Sequence, residues 1–254
     1  MAWWDAAFLA VAGVAGGLTG SIAGLASVAT YPALLVVGLP PVTANVTNTV
    51  ALVFSGIGSV WGSRPEMKGQ SRWLRRIIPA AAVGGAAGAA LLLSTPAEGF
   101  EYAVPILIGF ASLAIVLPRK PARGATVADH RRLTLATVAE FVAIFLICIY
   151  GGYFGAAAGV LMLALLLRAG HATLAHANAG KNVIAGVANS VAAAAFVIVA
   201  TVHWAAVAAL GIGCLLGSRL GPVVVRHAPA GPMRVLIGTS GVALAVKLGI
   251  DTYG

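Results

Sequence analysis

"GGLTGSIAG" at residues 16–24 returns as "GGYFGAAAG" at residues 151–159, and both follow the spacing GGxxGxxxG. A second pair follows in the same order, "ANVTNTV" at 44–50 and "ANAGKNV" at 177–183, with the offset nearly kept. Asp5 and Glu140 stand at matching distances ahead of the two glycine pairs, and Trp73 and Trp204 open the next comparable segments. So ordered a series marks a duplication. It divides the chain into a first repeat at 1–118, a basic linker at 119–132 and a second repeat at 133–254.

The composition says what medium the repeats occupy. Of 254 residues, 60% are hydrophobic and only 9% charged, with a mean hydropathy of +0.97. A soluble domain of this size needs more charge than that on its surface. Abundant Gly and Ala weaken a helix in water but let helices approach closely in lipid. The formal net charge of +9 would ordinarily raise nucleic acid as a partner. Its distribution argues otherwise: Lys and Arg cluster between Arg64 and Arg76 and between Arg119 and Arg132, in short loops between apolar spans. That is the pattern of cytoplasmic membrane loops, so the partner is the bilayer and no nucleic acid is expected. Cys148 and Cys214 sit in apolar runs and offer neither a disulfide framework nor metal-ligand spacing, so no cofactor or metal is expected. The first residues lack a basic leader and read as a first span.

Spans of roughly 20 apolar residues fall near 6–27, 42–63, 75–95, 101–118, 134–158, 174–201, 203–224 and 232–250. Two pieces near 28–38 and 159–168 are too short, follow the glycine-rich breaks, and read as short or re-entrant helices. Counting each short piece as one crossing, basic and non-basic loops alternate along the chain. The loops at 64–76, 119–132, 168–173 and 225–233 are then cytoplasmic and both termini outside. If the short pieces return to the side they entered, both termini face the cytoplasm. Corresponding loops of the two repeats carry opposite charge character, so the repeats are inverted. The expected fold is an all-α polytopic membrane protein of about 8–10 membrane elements, two inverted-topology repeats with glycine-broken helices. Secondary transporters are commonly built this way, with the site near the midplane.

One polar face interrupts the apolar pattern. Asn178, Lys181 and Asn182 are spaced i, i+3, i+4 on a single helix face, and Asn189 continues the stripe. Asn45, Asn48 and Thr49 make the matching face in the first repeat. Lys181 lies about ten residues past the preceding turn, roughly 15 Å along a helix and so near mid-bilayer. An uncompensated ammonium there costs at least ~2.5–3.5 kcal/mol. A carboxylate or a helix C-terminus could compensate it structurally. Interior acids are few, however, and a small anionic substrate is the more natural partner. The breaks at Gly24 and Gly159 would add free N–H groups and a positive helix end, which suits an oxyanion; the same glycines also serve close helix packing. Arg219 is a candidate for anion entry or a snorkelling side chain. Glu140 is a candidate proton carrier or a helix-start acid. The expected site is therefore Lys181, Asn45, Asn48, Thr49, Asn178, Asn182, Asn189, Gly24, Gly159 and Arg219, with Glu140 for coupling.

The duplicated glycine segment, "YPALLVVGLPPVTANVTNTVA", "GKNVIAGVAN" and "VHWAAVAALGIGCLLGSRLG" together resemble the sulfite exporter TauE/SafE family over nearly the whole chain. The resemblance implies a multi-pass carrier of the bacterial inner membrane for small sulfur-containing anions: sulfite, thiosulfate, sulfoacetate or similar organosulfonates. Alternating access between the repeats would move them. A transporter or passive channel for another small organic anion is the alternative. An intramembrane enzyme is not expected, since neither HExxH nor GxSxG is present. The sequence leaves monomer and homodimer open.

Overall fold

The computed structural model describes residues 1–96, 99, 130–155, 158–169, 173–227, 246 and 250. The expected spans near 101–118 and 232–250 lie almost entirely outside them. The described residues are helical, with no strand: α1 (Trp3–Ala23), α2 (Ala26–Val36), α3 (Pro41–Gly62), α4 (Ser71–Ser94), α5 (His130–Tyr153), α6 (Ala158–Arg168), α7 (Leu174–Val199) and α8 (Trp204–His227). Helices Trp3–Ala23, Ser71–Ser94, Leu174–Val199 and Trp204–Val225 are long and apolar enough to cross a membrane. α3 has the length, 22 residues, but carries Asn45, Asn48 and three threonines along one segment.

The surface is that of a protein in lipid. Large apolar side chains face outward, among them Val11, Val83, Ile198, Ile212 and Leu216, while Asn45, Asn48, Asn178, Lys181 and Asn182 are buried. For a protein in water this distribution would be inverted. Small residues hold the helices together. Gly13 and Gly17 of α1 face Leu210, Cys214 and Ser218 of α8, and Gly213 and Gly217 of α8 face Ala10 and Val14 in return. Gly84, Gly85 and Gly88 of α4 pack in the same way on α5 and α7. In lipid such close backbone approach is the main source of helix association, because apolar side chains gain little by leaving the tails.

α1 starts with Asp5 accepting from the Ala2 N–H at 2.8 Å, which occupies one orphan donor of the first turn. It stops at Gly24, whose φ of 81° only glycine takes without strain. The chain then reverses. α2 runs back along α1, with Ala26 beside Gly20 and Thr30 beside Gly16. α3 sets off from the end where α1 began, near the start of α8: the His203 N–H donates to Thr47 Oγ1 at 3.2 Å. α2 therefore carries the chain back toward the end where α1 began. α5 likewise ends at Tyr153, with Gly155 at φ 74° ahead of α6. The two reversals meet: the backbones of Gly24 and Gly159 touch, and a Cβ on Gly159 would lie 2.5 Å from Gly24 Cα.

Two apolar clusters flank this meeting point. One gathers Leu9, Leu34, Leu210 and Phe196 around Tyr31 and Phe154, whose rings meet edge-on at 5.4 Å. The other is built from Leu74 and Ile77 of α4, Ile144 of α5, Leu166 of α6 and Ile184 of α7.

Candidate functional site

α7 begins at Leu174, where the Thr173 hydroxyl accepts from the His176 N–H. That start fixes the depth of Lys181, seven residues in and about 10 Å along the helix. The helix begins where the span at 174–201 is expected; the ~15 Å expectation is deeper because it counts about ten residues from within the preceding turn. The side chain is 1% exposed. Its Nζ donates to the carbonyls of Gly20 at 2.9 Å and Ser21 at 3.1 Å. Both carbonyls belong to the last turn of α1, where the dipole is negative; the Gly20 carbonyl also accepts from the Gly24 N–H. The compensation for the buried ammonium is thus a helix C-terminus. Asn178, one turn earlier, donates to the same Ser21 carbonyl at 2.9 Å.

The first-repeat face has a reciprocal arrangement. Asn45 Nδ2 on α3 donates to the Tyr153 carbonyl at the end of α5, at 2.9 Å. Each of the two asparagines therefore grips the closing turn of the helix that leads into the other break. Asn45 Oδ1 and Asn178 Oδ1 are buried without a hydrogen-bond partner among the described residues. Asn48, at the position matching Lys181, bonds within its own half: Nδ2 donates to Ser27 Oγ at 3.1 Å, and Thr30 Oγ1 donates to Oδ1 at 2.6 Å. Asn182 Nδ2 donates to Ser63 Oγ at 3.0 Å, and Thr49 Oγ1 to the Asn45 carbonyl of its own helix at 3.0 Å.

A cavity of about 80 Å3 lies between these elements. Of the expected residues, Lys181, Asn182, Asn189, Thr49, Gly24 and Gly159 line it. Asn45, Asn48 and Asn178 stand behind the wall and brace it. Glu140 lies on α5 away from the lining, and Arg219 is exposed on α8 with its guanidinium carbon 4.2 Å from the Trp61 ring centroid. The sequence reading missed the hydroxyls. Ser21, Ser27, Ser55 and Ser59 all line the cavity. Ser55 and Ser59 continue the face of Asn48 at i+7 and i+11, so the stripe was visible but was followed only as far as the carboxamides. No Asp or Glu lines the cavity among the described residues, and no three His, Cys, Asp or Glu come together there as a metal cluster. The wall thins at one point, where Gly56 of α3 meets Gly186 of α7; these two glycines also border an outer groove.

A lipid-faced helical bundle around a small cavity with one charged side chain on its wall fits the class of membrane transporters. The chain belongs to one family of them: the sequence model for the sulfite exporter TauE/SafE family matches residues 9–248. It is 30% identical over 249 residues to the probable membrane transporter protein ORF9 of Sinorhizobium sp., covering 96% of this chain and 92% of that protein. It is 26% identical over 239 residues to the probable membrane transporter protein YfcA of Escherichia coli K12, covering 94% and 87%. No solved structure matches the chain.

Proposed function

We propose that the protein is a secondary transporter of a small sulfur-containing oxyanion, sulfite or a compact relative such as thiosulfate or sulfoacetate, across the bacterial inner membrane. The observation that carries this reading is the Lys181 ammonium at the cavity wall. Two of its three donors go to α1 carbonyls, which leaves one N–H for an occupant. Serine and threonine hydroxyls and the carboxamides of Asn182 and Asn189 are the other polar groups of a lining that also holds Leu52, Phe154 and Met162, and an anion meets no carboxylate among the described residues. A water needs about 10–15 Å3 of such space, so about 80 Å3 suits an anion of a few heavy atoms with little accompanying water. That favours the smaller members of the class.

Alternating access of two inverted repeats, 1–118 and 133–254, is the proposed mechanism. The packing pairs support it: α1 lies on α8 as α5 lies on α4, α3 on α8 as α7 on α4, and α3 crosses α7. Exchanging the halves turns each pair into another. Glu140 is retained as a proton carrier for coupling, acting from outside the cavity wall. Counterflow of labelled sulfite in proteoliposomes tests the function. Ohmic single-channel current without counterflow would replace the carrier with a channel, and counterflow of only other organic acids would replace the substrate.

A second reading of Lys181 has its own observation. Both of its hydrogen bonds hold the end of α1, so the residue also braces the break. The two roles separate by experiment, as developed in the Discussion.

A further inference from the structure

A groove of about 540 Å3 runs along the outer side of the α3–α7 crossing, bordered by Val53, Ile57 and Trp61 of α3, by Arg64 just past its end, and by Val183 and Val187 of α7. The helices are antiparallel here, since Asn182 near the start of α7 bonds Ser63 at the end of α3. Between Val53 and Trp61 the helix rises roughly 12 Å. One leaflet of hydrocarbon is about 15 Å deep, half of a ~30 Å core. The groove thus spans most of a leaflet, with apolar α3 residues along its length until its basic end.

That end is built differently. Trp61 and Arg64 border the groove there. Trp61 stands 47% exposed, with the Arg64 guanidinium carbon 5.9 Å from its ring centroid and that of Arg219, outside the groove's border on α8, at 4.2 Å. Both arginines are exposed, and the ring is the partner of both guanidiniums among the described residues. Their N–H donors point to no carboxylate there. Guanidinium donors match phosphate oxygens in pairs, and the end leads directly into the basic 64–76 loop. Basic loops mark the cytoplasmic side, whose leaflet carries anionic lipid.

We propose that this groove seats an anionic phospholipid, its acyl chain along Val53, Ile57, Val183 and Val187 and its phosphate at Arg64 and Arg219. A second copy of the chain is the other candidate occupant. A two-fold axis along the membrane normal would put both copies' arginine pairs at one height and bring like charges together. A lipid phosphate meets the same charges with the opposite sign.

The test uses the full-length protein in detergent, with phosphatidylglycerol or phosphatidylcholine of identical chains added, read by native mass spectrometry and thermal shift. The wild type is expected to hold phosphatidylglycerol about tenfold more tightly, the worth of one charge-assisted contact. Arg64→Gln with Arg219→Gln should abolish that preference and keep the weak binding of phosphatidylcholine, while Val187→Trp should weaken both lipids. The single Arg64→Gln variant should show an intermediate preference, and it serves if the double variant does not fold. Equal binding of the two lipids by the wild type, or a preference surviving in the Arg→Gln variants, would overturn the proposal. So would glycerol phosphate reproducing the thermal shift without acyl chains, or a dimer mass that excludes lipid.

Discussion

Replacing Lys181 with methionine shortens the side chain by one atom and removes the charge. Two charge-assisted hydrogen bonds to the α1 carbonyls disappear, each worth about 1.5–3 kcal/mol. The carbonyls are not orphaned: Gly20 still accepts from the Gly24 N–H at 2.7 Å, and Ser21 from Asn178 at 2.9 Å. Against the loss stands relief of the ammonium's burial, about 2.5–3.5 kcal/mol on insertion scales. The difference is a destabilisation on the order of 1–2 kcal/mol, or roughly 2–8 °C in Tm for a chain of this size. Anion binding has no such offset. Losing one charge-assisted contact of about 1.5–3 kcal/mol lowers affinity by about tenfold to a hundredfold. Thermal-shift titration with sulfite, alongside counterflow in proteoliposomes, reads both quantities on one preparation. The expected result is a modest fall in Tm with loss of the sulfite-induced shift and a raised KM. A Met variant that unfolds more readily yet keeps the wild-type sulfite response and KM would leave Lys181 as a brace only, and would refute its role with the anion.

Other expectations follow from the same geometry. Gly24→Ala should cost more than Gly38→Ala, although both have φ above 80°: Gly24 also abuts the Gly159 backbone, whereas nothing lies within 4 Å of a Cβ at Gly38. Comparing the melting temperatures of the two variants checks this. Asn178→Ala should cost only about 1 kcal/mol, because it removes a bond together with a buried unpartnered oxygen; the matching Asn45→Ala should behave alike in denaturation. Asn189→Ala, on the cavity wall, should change substrate KM with little effect on Tm. Glu140→Gln should abolish the response of uptake to an imposed pH gradient, and uptake indifferent to the gradient in wild type as well would remove Glu140 from coupling.

The helix order and the short helices were legible because lipid imposes length and apolarity on each span, and because the two glycine segments repeat. Helix ends were less so. The glycine pattern is the same twice, yet α1 runs on to Ala23 and turns at Gly24, whereas α5 stops at Tyr153 and turns at Gly155. Several glycines in each copy can take the left-handed conformation, and which one does is settled by packing between halves. The site was legible as two polar faces, since i, i+3, i+4 spacing fixes them. What spacing cannot give is the partner of each donor. Spacing groups Asn45, Asn48 and Asn178 with Lys181, whereas in the fold they face carbonyls and hydroxyls of neighbouring helices and brace the wall. Serine hydroxyls, ordinary within apolar helices, drew no attention although Ser55 and Ser59 lie on the same stripe.

The contact between Gly56 and Gly186 constrains how this lineage can drift. A Cβ added at Gly56 would sit 3.1 Å from Gly186 Cα, tighter than ordinary packing, whereas one added at Gly186 would meet Gly56 Cα at 3.6 Å, a comfortable separation. Alanine can therefore enter from α7 without moving a helix but not from α3. The pair is a lock with one free side, and the partition between the cavity and the surrounding lipid can thicken by mutation from α7 but not from α3.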